Sequence, residues 1–199
     1  MTSREEQKQA TRARVLDAAT NLLVTQGYSA LTTVAVQEAA GVSRGALLHH
    51  FPTAAELTRA LVANLVESNE TVARAAAMRI GRKTDAVERA LTALLESMTH
   101  PAAQAEFELW AAARTDPALA EVLIEAERRA GRDLRRVVDD LFGPEIVAHQ
   151  HYPVIRDLSI TMLRGMALSR SLRTSDRAVR TTLTRWADTV RTLLTLSPA

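Results

Sequence analysis

The chain has 199 residues, 47% hydrophobic and 24% charged, with a formal net charge of +2, so it can bury a substantial core in one or two domains. It contains no cysteine, which excludes disulfide bonds, thiolate metal sites and thiol catalysis. Its first residues are polar, without an apolar signal core, and no run of about 18 apolar residues occurs, so the expected location is the cytoplasm, with no membrane partner.

The first predicted helix carries Val15, Ala18, Ala19, Leu22 and Leu23 at i, i+3, i+4, i+7 and i+8, one face of a 3.6-residue repeat, and ends at Gly27. Ahead of it, Arg4, Lys8 and Arg12 read as a flexible basic arm able to reach a nucleic-acid backbone. Residues 32 to 51 then predict two short helices hinged at Gly41. Thr32 and Thr33 are helix-start residues, and Gly41 suits the left-handed conformation that closes a helix. Ser43 is a good N-cap for the second helix, and Val42 can meet Leu47 as a hydrophobic staple. Helix, short glycine turn and helix make the helix-turn-helix pattern, in which the second helix enters the major groove of DNA.

What that second helix shows to solvent gives the pattern chemical content. Leu47 and Phe51, four apart, share a face and should be buried. On the other side Arg44 is a donor for guanine, Leu48 an apolar partner for a thymine methyl, and Gly45, Ala46 and His49 lie alongside, the first two small enough to let the backbone come close. His50, Thr32 and Thr33 suit phosphate contacts. Thr53 and Glu56 form a capping box that starts the next helix and aims its N-terminal amides outward. The predicted DNA-contacting set is Thr32, Thr33, Ser43, Arg44, Gly45, Ala46, Leu48, His49, His50 and Thr53.

The remaining elements are helical by periodicity. A helix over about 53 to 80 packs Leu57, Leu61 and Leu65 on the motif. Thr84 is the expected N-cap of a helix to about Thr99, Pro101 opens another to about Thr115, and Asp116-Pro117 starts one that reaches Phe142-Gly143. A loop holding Gly143, Pro144 and Pro153 precedes two final helices, about 153 to 173 and 175 to 196. In the last of them Val179, Leu183, Trp186, Val190 and Leu193 are spaced 4, 3, 4, 3, the seam of a packed helix pair. Ser159, Gly165 and Ala167 on its neighbour permit close approach, so this pair is the expected association surface.

Arg14-Val15-Leu16-Asp17-Ala18-Ala19, Leu22-Leu23, Gly27-Tyr28, Thr32-Thr33-Val34, Ala40-Gly41-Val42-Ser43, Leu47 and His50-Phe51 together resemble the N-terminal domain of TetR-type (tetracycline-repressor-like) transcriptional regulators. The resemblance covers residues 12 to about 61. Three positions depart from the family pattern: Leu48 stands where a Tyr is common, Gln37 where a small residue is usual, and Ala54 where a Lys is usual. The Tyr and Lys positions resemble ones the family uses for phosphate contact. The resemblance implies a homodimer on a palindromic operator of double-stranded DNA, with half-sites a helical turn or a multiple apart, and an inducer cavity in the helical body.

Charge runs against the simplest expectation for a DNA reader. Residues 1 to 60 carry six basic and five acidic side chains, and residues 153 to 199 carry eight and three. Nonspecific affinity, which scales with phosphates neutralised, is therefore expected to be modest and a dimer to be needed. For an effector, Met98, Phe107, Trp110, Met162 and Met166 supply aromatic and adaptable apolar walls and Arg114 polar specificity, so the expected ligand is a largely apolar small molecule. A plain core is the competing account of those residues. No nucleophile elbow, phosphate-binding glycine loop or His-Glu-x-x-His occurs, so no enzyme, metal or cofactor is expected.

The expectation is an all-α protein of about nine helices, with a three-helix helix-turn-helix DNA-binding domain at residues 1–60 and a helical effector-binding and dimerisation domain at 61–199. It would act as a ligand-responsive transcriptional repressor. The alternative is a helical small-molecule-binding protein with a weakened reader, motivated by Leu48 and Ala54.

Overall fold

The computed structural model describes residues 3–81, 84–172 and 175–196. Among them are ten α-helices and no strand: α1 Ser3–Gln26, α2 Thr33–Ala40, α3 Arg44–His50, α4 Ala54–Ile80, α5 Ala86–Met98, α6 Pro101–Ala113, α7 Pro117–Phe142, α8 Pro144–Val147, α9 Tyr152–Leu168 and α10 Arg177–Thr195. The chain divides into two compact units, one of Met1–Ser68 with Pro101–Ala130, the other of Asn69–His100 with Gly131–Ala199.

In the first unit α1 packs against α2 and α6. The apolar face read from the sequence is the buried one: Val15, Ala19 and Leu23 are fully enclosed, joined by Val36, Leu61, Leu65, Ala105 and Leu109. Each enclosed leucine contributes about 1.5–3 kcal/mol relative to exposure, which outweighs the modest propensity of helices as short as α2 and α3. α1 closes at Gly27 (φ 77°), and a 3-10 turn, Tyr28–Ala30, leads into α2.

The second unit packs α5 against α9 and α10. Leu91, Leu94, Ile155, Leu163 and Val190 are each fully buried. Trp186 on α10 donates its indole N–H to the buried hydroxyl of Ser159 on α9 at 2.8 Å, so the small residue admits a neighbouring helix and also satisfies the polar end of its largest side chain. Tyr152, at the start of α9, donates to Asp139 at 2.5 Å. Burial first, then that carboxylate, raises its pKa.

Three local expectations are corrected. Arg4, Lys8 and Arg12 do not lie on a flexible arm; they are the first three turns of α1, a stretch of good helix formers with Glu5 and Glu6 favourably placed at the positive end of the helix dipole. The N-cap of α5 is Asp85, one residue after Thr84, and its carboxylate accepts the Glu88 N–H at 3.0 Å while pairing with Arg191 at 2.9 Å. Burial alone would raise the Asp85 pKa, but these partners hold it below the ordinary value. Finally, the Gly143–Pro153 segment holds one more helix, α8, and Pro153 sits in the first turn of α9, where its missing N–H costs nothing.

Candidate nucleic-acid interface

The two helices of the motif are set by local chemistry. Thr32 is extended (φ −101°, ψ 154°) and its hydroxyl accepts the Ala35 N–H at 3.1 Å, capping α2. Gly41 is left-handed (φ 61°, ψ 40°). Its N–H and that of Val42 return to the carbonyls of Glu38 and Gln37 at 3.1 and 3.2 Å, a closure that a side chain at residue 41 would strain. Ser43 then caps α3, accepting the Ala46 N–H at 3.1 Å. Leu47 and Phe51 lock the helix to the core at 2% and 4% exposure, and half-buried Val42 packs on the same cluster.

With that face inward, Arg44, Gly45, Leu48 and His49 face solvent, and Ala46 and His50 are half-buried. Leu48 is 41% exposed although apolar, an arrangement suited to a thymine methyl or a sugar edge. Seven residues of helix span about 10 Å, close to the ~12 Å width of the major groove. Ser43 is exposed at its N-terminal end and Thr32 and Thr33 at the start of α2, and the capping hydroxyls of Thr32 and Ser43 retain a proton to donate.

Thr53 behaves differently from these. The capping box forms reciprocally: Glu56 N–H donates to Thr53 Oγ1 at 3.1 Å, while the N–H and hydroxyl of Thr53 both donate to Glu56 Oε2, at 3.2 and 3.3 Å. Both donors of Thr53 are committed, and a carboxylate already sits at the positive end of α4. This terminus is therefore a poor substitute for the lysine that Ala54 replaces. The cations that stand near the motif come instead from α1. Arg12 lies over the Phe51 ring, 5.6 Å from its centroid. The pKa of His50 is lowered, first by partial burial and then by the charges of His49, Lys8 and Arg12. The spacing by four of Arg4, Lys8 and Arg12 is the sequence signal for one row on a helix in place of the expected flexible arm.

The predicted effector residues fall in separate places. In the first unit Phe107 is buried, Trp110 half-buried and Arg114 exposed at the end of α6. The rings of Phe107 and Trp110 stand 5.4 Å apart, and Trp110 donates to Glu127 at 2.6 Å. An open groove of about 440 Å³ runs beside Trp110, walled by Ala113, Leu123, Ile124, Glu127 and Arg128. In the second unit Met98 and Met166 are buried and Met162 half-buried. Met166 borders a hollow of about 240 Å³ with Leu95, Val179, Leu183, Arg170 and Arg180. The acidic partner of Trp110, on the following helix, had no signal in the sequence.

An all-helical chain whose capped, solvent-facing α3 follows a glycine-closed α2 is a helix-turn-helix DNA-binding protein. Residues 15–61 match the family model described as bacterial regulatory proteins, tetR family. The HTH-type transcriptional regulator CymR of Pseudomonas putida is 33% identical over 137 residues, 69% of this chain and 66% of that protein. The HTH-type transcriptional regulator Rv2912c of Mycobacterium tuberculosis is 28% identical over 171 residues, covering 85% of this chain and 87% of its own length. Among solved structures, a transcriptional regulator (RHA1_ro04179) from Rhodococcus superposes with a TM-score of 0.67 over 94% of this chain and 99% of that one, at 19% identity. The chain belongs to the TetR family of transcriptional regulators, a family of DNA-binding proteins and not of enzymes. Among the described residues no helix is long and apolar enough to cross a membrane.

Proposed function

We propose that this regulator is a cytoplasmic, homodimeric repressor that reads a palindromic operator with α3 and loses affinity for it when a small, largely apolar effector binds the helical body. The observation that carries the reading is the sorting of side chains on α3: Leu47 and Phe51 anchor it while Arg44, Gly45, Leu48 and His49 stand free. In this reading Arg44 and Leu48 read bases, Gly45 and Ala46 permit close approach, and Thr32, Thr33, Ser43, His49 and His50 meet phosphates, with Thr53 serving mainly as a cap. Residues 1–60 form the reader and 61–199 the effector and dimer portion. Dimerisation is assigned to α9 and α10, supported by Val154, Leu158 and Leu168, which remain 49–55% exposed on α9. Two candidate effector sites follow from the predicted residues. One is the groove beside Trp110, with Phe107 behind the ring and Arg114 further along; the other is the hollow bordered by Met166, with Met98 and Met162 on the same two helices.

An effector acts only through its difference in affinity between the DNA-bound and free arrangements. Selection of bound sequences from random duplex DNA tests the proposal. Enrichment of a palindrome supports it. A folded dimer that enriches nothing would favour the other reading, a helical ligand-binding protein whose reader is weakened at Leu48 and Ala54.

A further inference from the structure

α1 carries its basic residues in one row. Arg4, Lys8 and Arg12 are spaced by four, and the next member of the row, Leu16, is 1% exposed in the core of the first unit. The stripe that buries apolar side chains where α1 packs on α2 thus continues as three cations beyond the core. A rigid helix sets their positions, with no loop to be ordered on binding. Arg12 is half-buried and stacked on Phe51, the residue that ends α3; Lys8 and Arg4 are exposed one and two turns further out. Among the described residues none of the three forms an ion pair. Of the nearby acids, Glu5 is engaged by Gln9 at 3.3 Å, and Glu6 lies on the far side of the helix.

The chain that immediately follows Phe51 supplies no such cation at this end of the motif. Residue 54 is alanine, and the start of α4 is occupied by the Glu56 carboxylate. A helix lying across a major groove meets a phosphate strand at each end. The C-terminal end of α3, with His49, His50 and Phe51, carries no fixed positive charge of its own, the motif's one arginine, Arg44, standing at the opposite end of the helix.

We infer that Arg4, Lys8 and Arg12 form a phosphate clamp, a helical extension of the reader that grips the DNA backbone beside the C-terminal end of α3. The inference rests on the DNA-binding reading and adds the surface that supplies its missing cationic anchor. Arg12 sets the register through Phe51, and Lys8 carries the contact that charge alone provides. Such contacts hold any sequence equally, so the clamp sets affinity and salt dependence and leaves the choice of operator to α3.

The test is a salt titration of operator and random duplexes with the full chain and with Lys8→Ala, Arg4→Ala and Arg12→Ala. Lys8→Ala and Arg4→Ala alter exposed side chains and leave the core intact, so they keep the test valid should Arg12→Ala unfold. Removing one phosphate contact should make the loss of affinity between 50 and 200 mM salt smaller by about 3.5-fold, with operator and random DNA affected alike. Adding Ala54→Lys to Lys8→Ala should restore the salt dependence. Operator binding with an unchanged salt dependence in both Lys8→Ala and Arg4→Ala would overturn the clamp and leave the reader standing. Failure of the wild-type chain to bind any duplex would overturn both.

Discussion

The hydroxyl of Tyr28 donates to Asp116 Oδ2 at 3.4 Å, across 88 residues of chain, while the other oxygen of the same carboxylate accepts the Leu119 N–H at 3.0 Å. One side chain therefore caps α7 and holds the turn that feeds α2. Burial, reinforced by the Asp116 carboxylate, raises the Tyr28 pKa, so the donor stays protonated at any physiological pH. Tyr28→Phe removes only the longer bond and should cost about 0.5–1 kcal/mol. Asp116→Ala removes the cap as well and should cost about 1–3 kcal/mol. Urea denaturation of the two variants checks the order; equal losses would show that the bond to the Leu119 amide adds nothing beyond the Tyr28 contact, and no loss in Tyr28→Phe would show that the Tyr28 contact contributes nothing.

The two glycines of the motif should respond to alanine with opposite signs. Gly41 has open space around it but a φ of 61°, so Gly41→Ala should destabilise by roughly 1–2 kcal/mol through backbone conformation alone. Gly45 is helical with nothing within 4 Å of an added methyl, so Gly45→Ala should stabilise by about 0.5–1 kcal/mol. Operator affinity should nonetheless fall in Gly45→Ala, because the methyl enters the face that approaches the groove. Thermal unfolding read beside DNA titration separates the two effects.

Arg44 is the first residue of α3 and fully available for a bidentate bond to guanine. Arg44→Ala should cost ~1–3 kcal/mol at one operator position and relax the preference there. Repeating the sequence selection with the variant measures this, and an unaltered preference would remove Arg44 from base reading.

pH should act through His50. Its pKa in the free protein lies below the ordinary 6.5, and a neighbouring phosphate would raise it on binding. The proton therefore favours the complex: the gain is complete below the free-state value and fades as pH rises through the bound-state value. Stability of the free chain runs the other way. A pKa depressed by folding contributes stability above the unfolded value, and that contribution is lost as pH falls through the folded one. Titrations at matched salt should give tighter operator binding at pH 6 than at pH 8, His50→Gln should reduce the difference, and His49→Gln combined with it should flatten the profile.

The parts of the motif that were legible in the sequence depend on neighbours three or four residues away. Thr32, Ser43 and the Thr53–Glu56 pair cap the helices whose starts they mark, and Gly41 turns where a left-handed residue is required. At Thr84 and Asp85 two capping residues stand in succession, and the choice fell to the carboxylate because it reaches both the Glu88 amide and Arg191 on α10. That ion pair spans 106 residues, and no local pattern carries it. The same holds for Tyr28 with Asp116 and for Trp110 with Glu127. Apart from Arg114, the expected effector residues are apolar side chains at helical spacing, a pattern that reports burial without naming neighbours; Phe107 and Met166 are both buried yet belong to different units.

Two copies of α3 reading two half-sites is the central claim, and the most direct measurement is the affinity of the chain for its selected operator against the same duplex with one half-site scrambled. The account predicts two chains per intact operator and, for the scrambled duplex, affinity close to that for random DNA at the same salt concentration. Equal affinity for the two duplexes, with one chain bound to each, would contradict it.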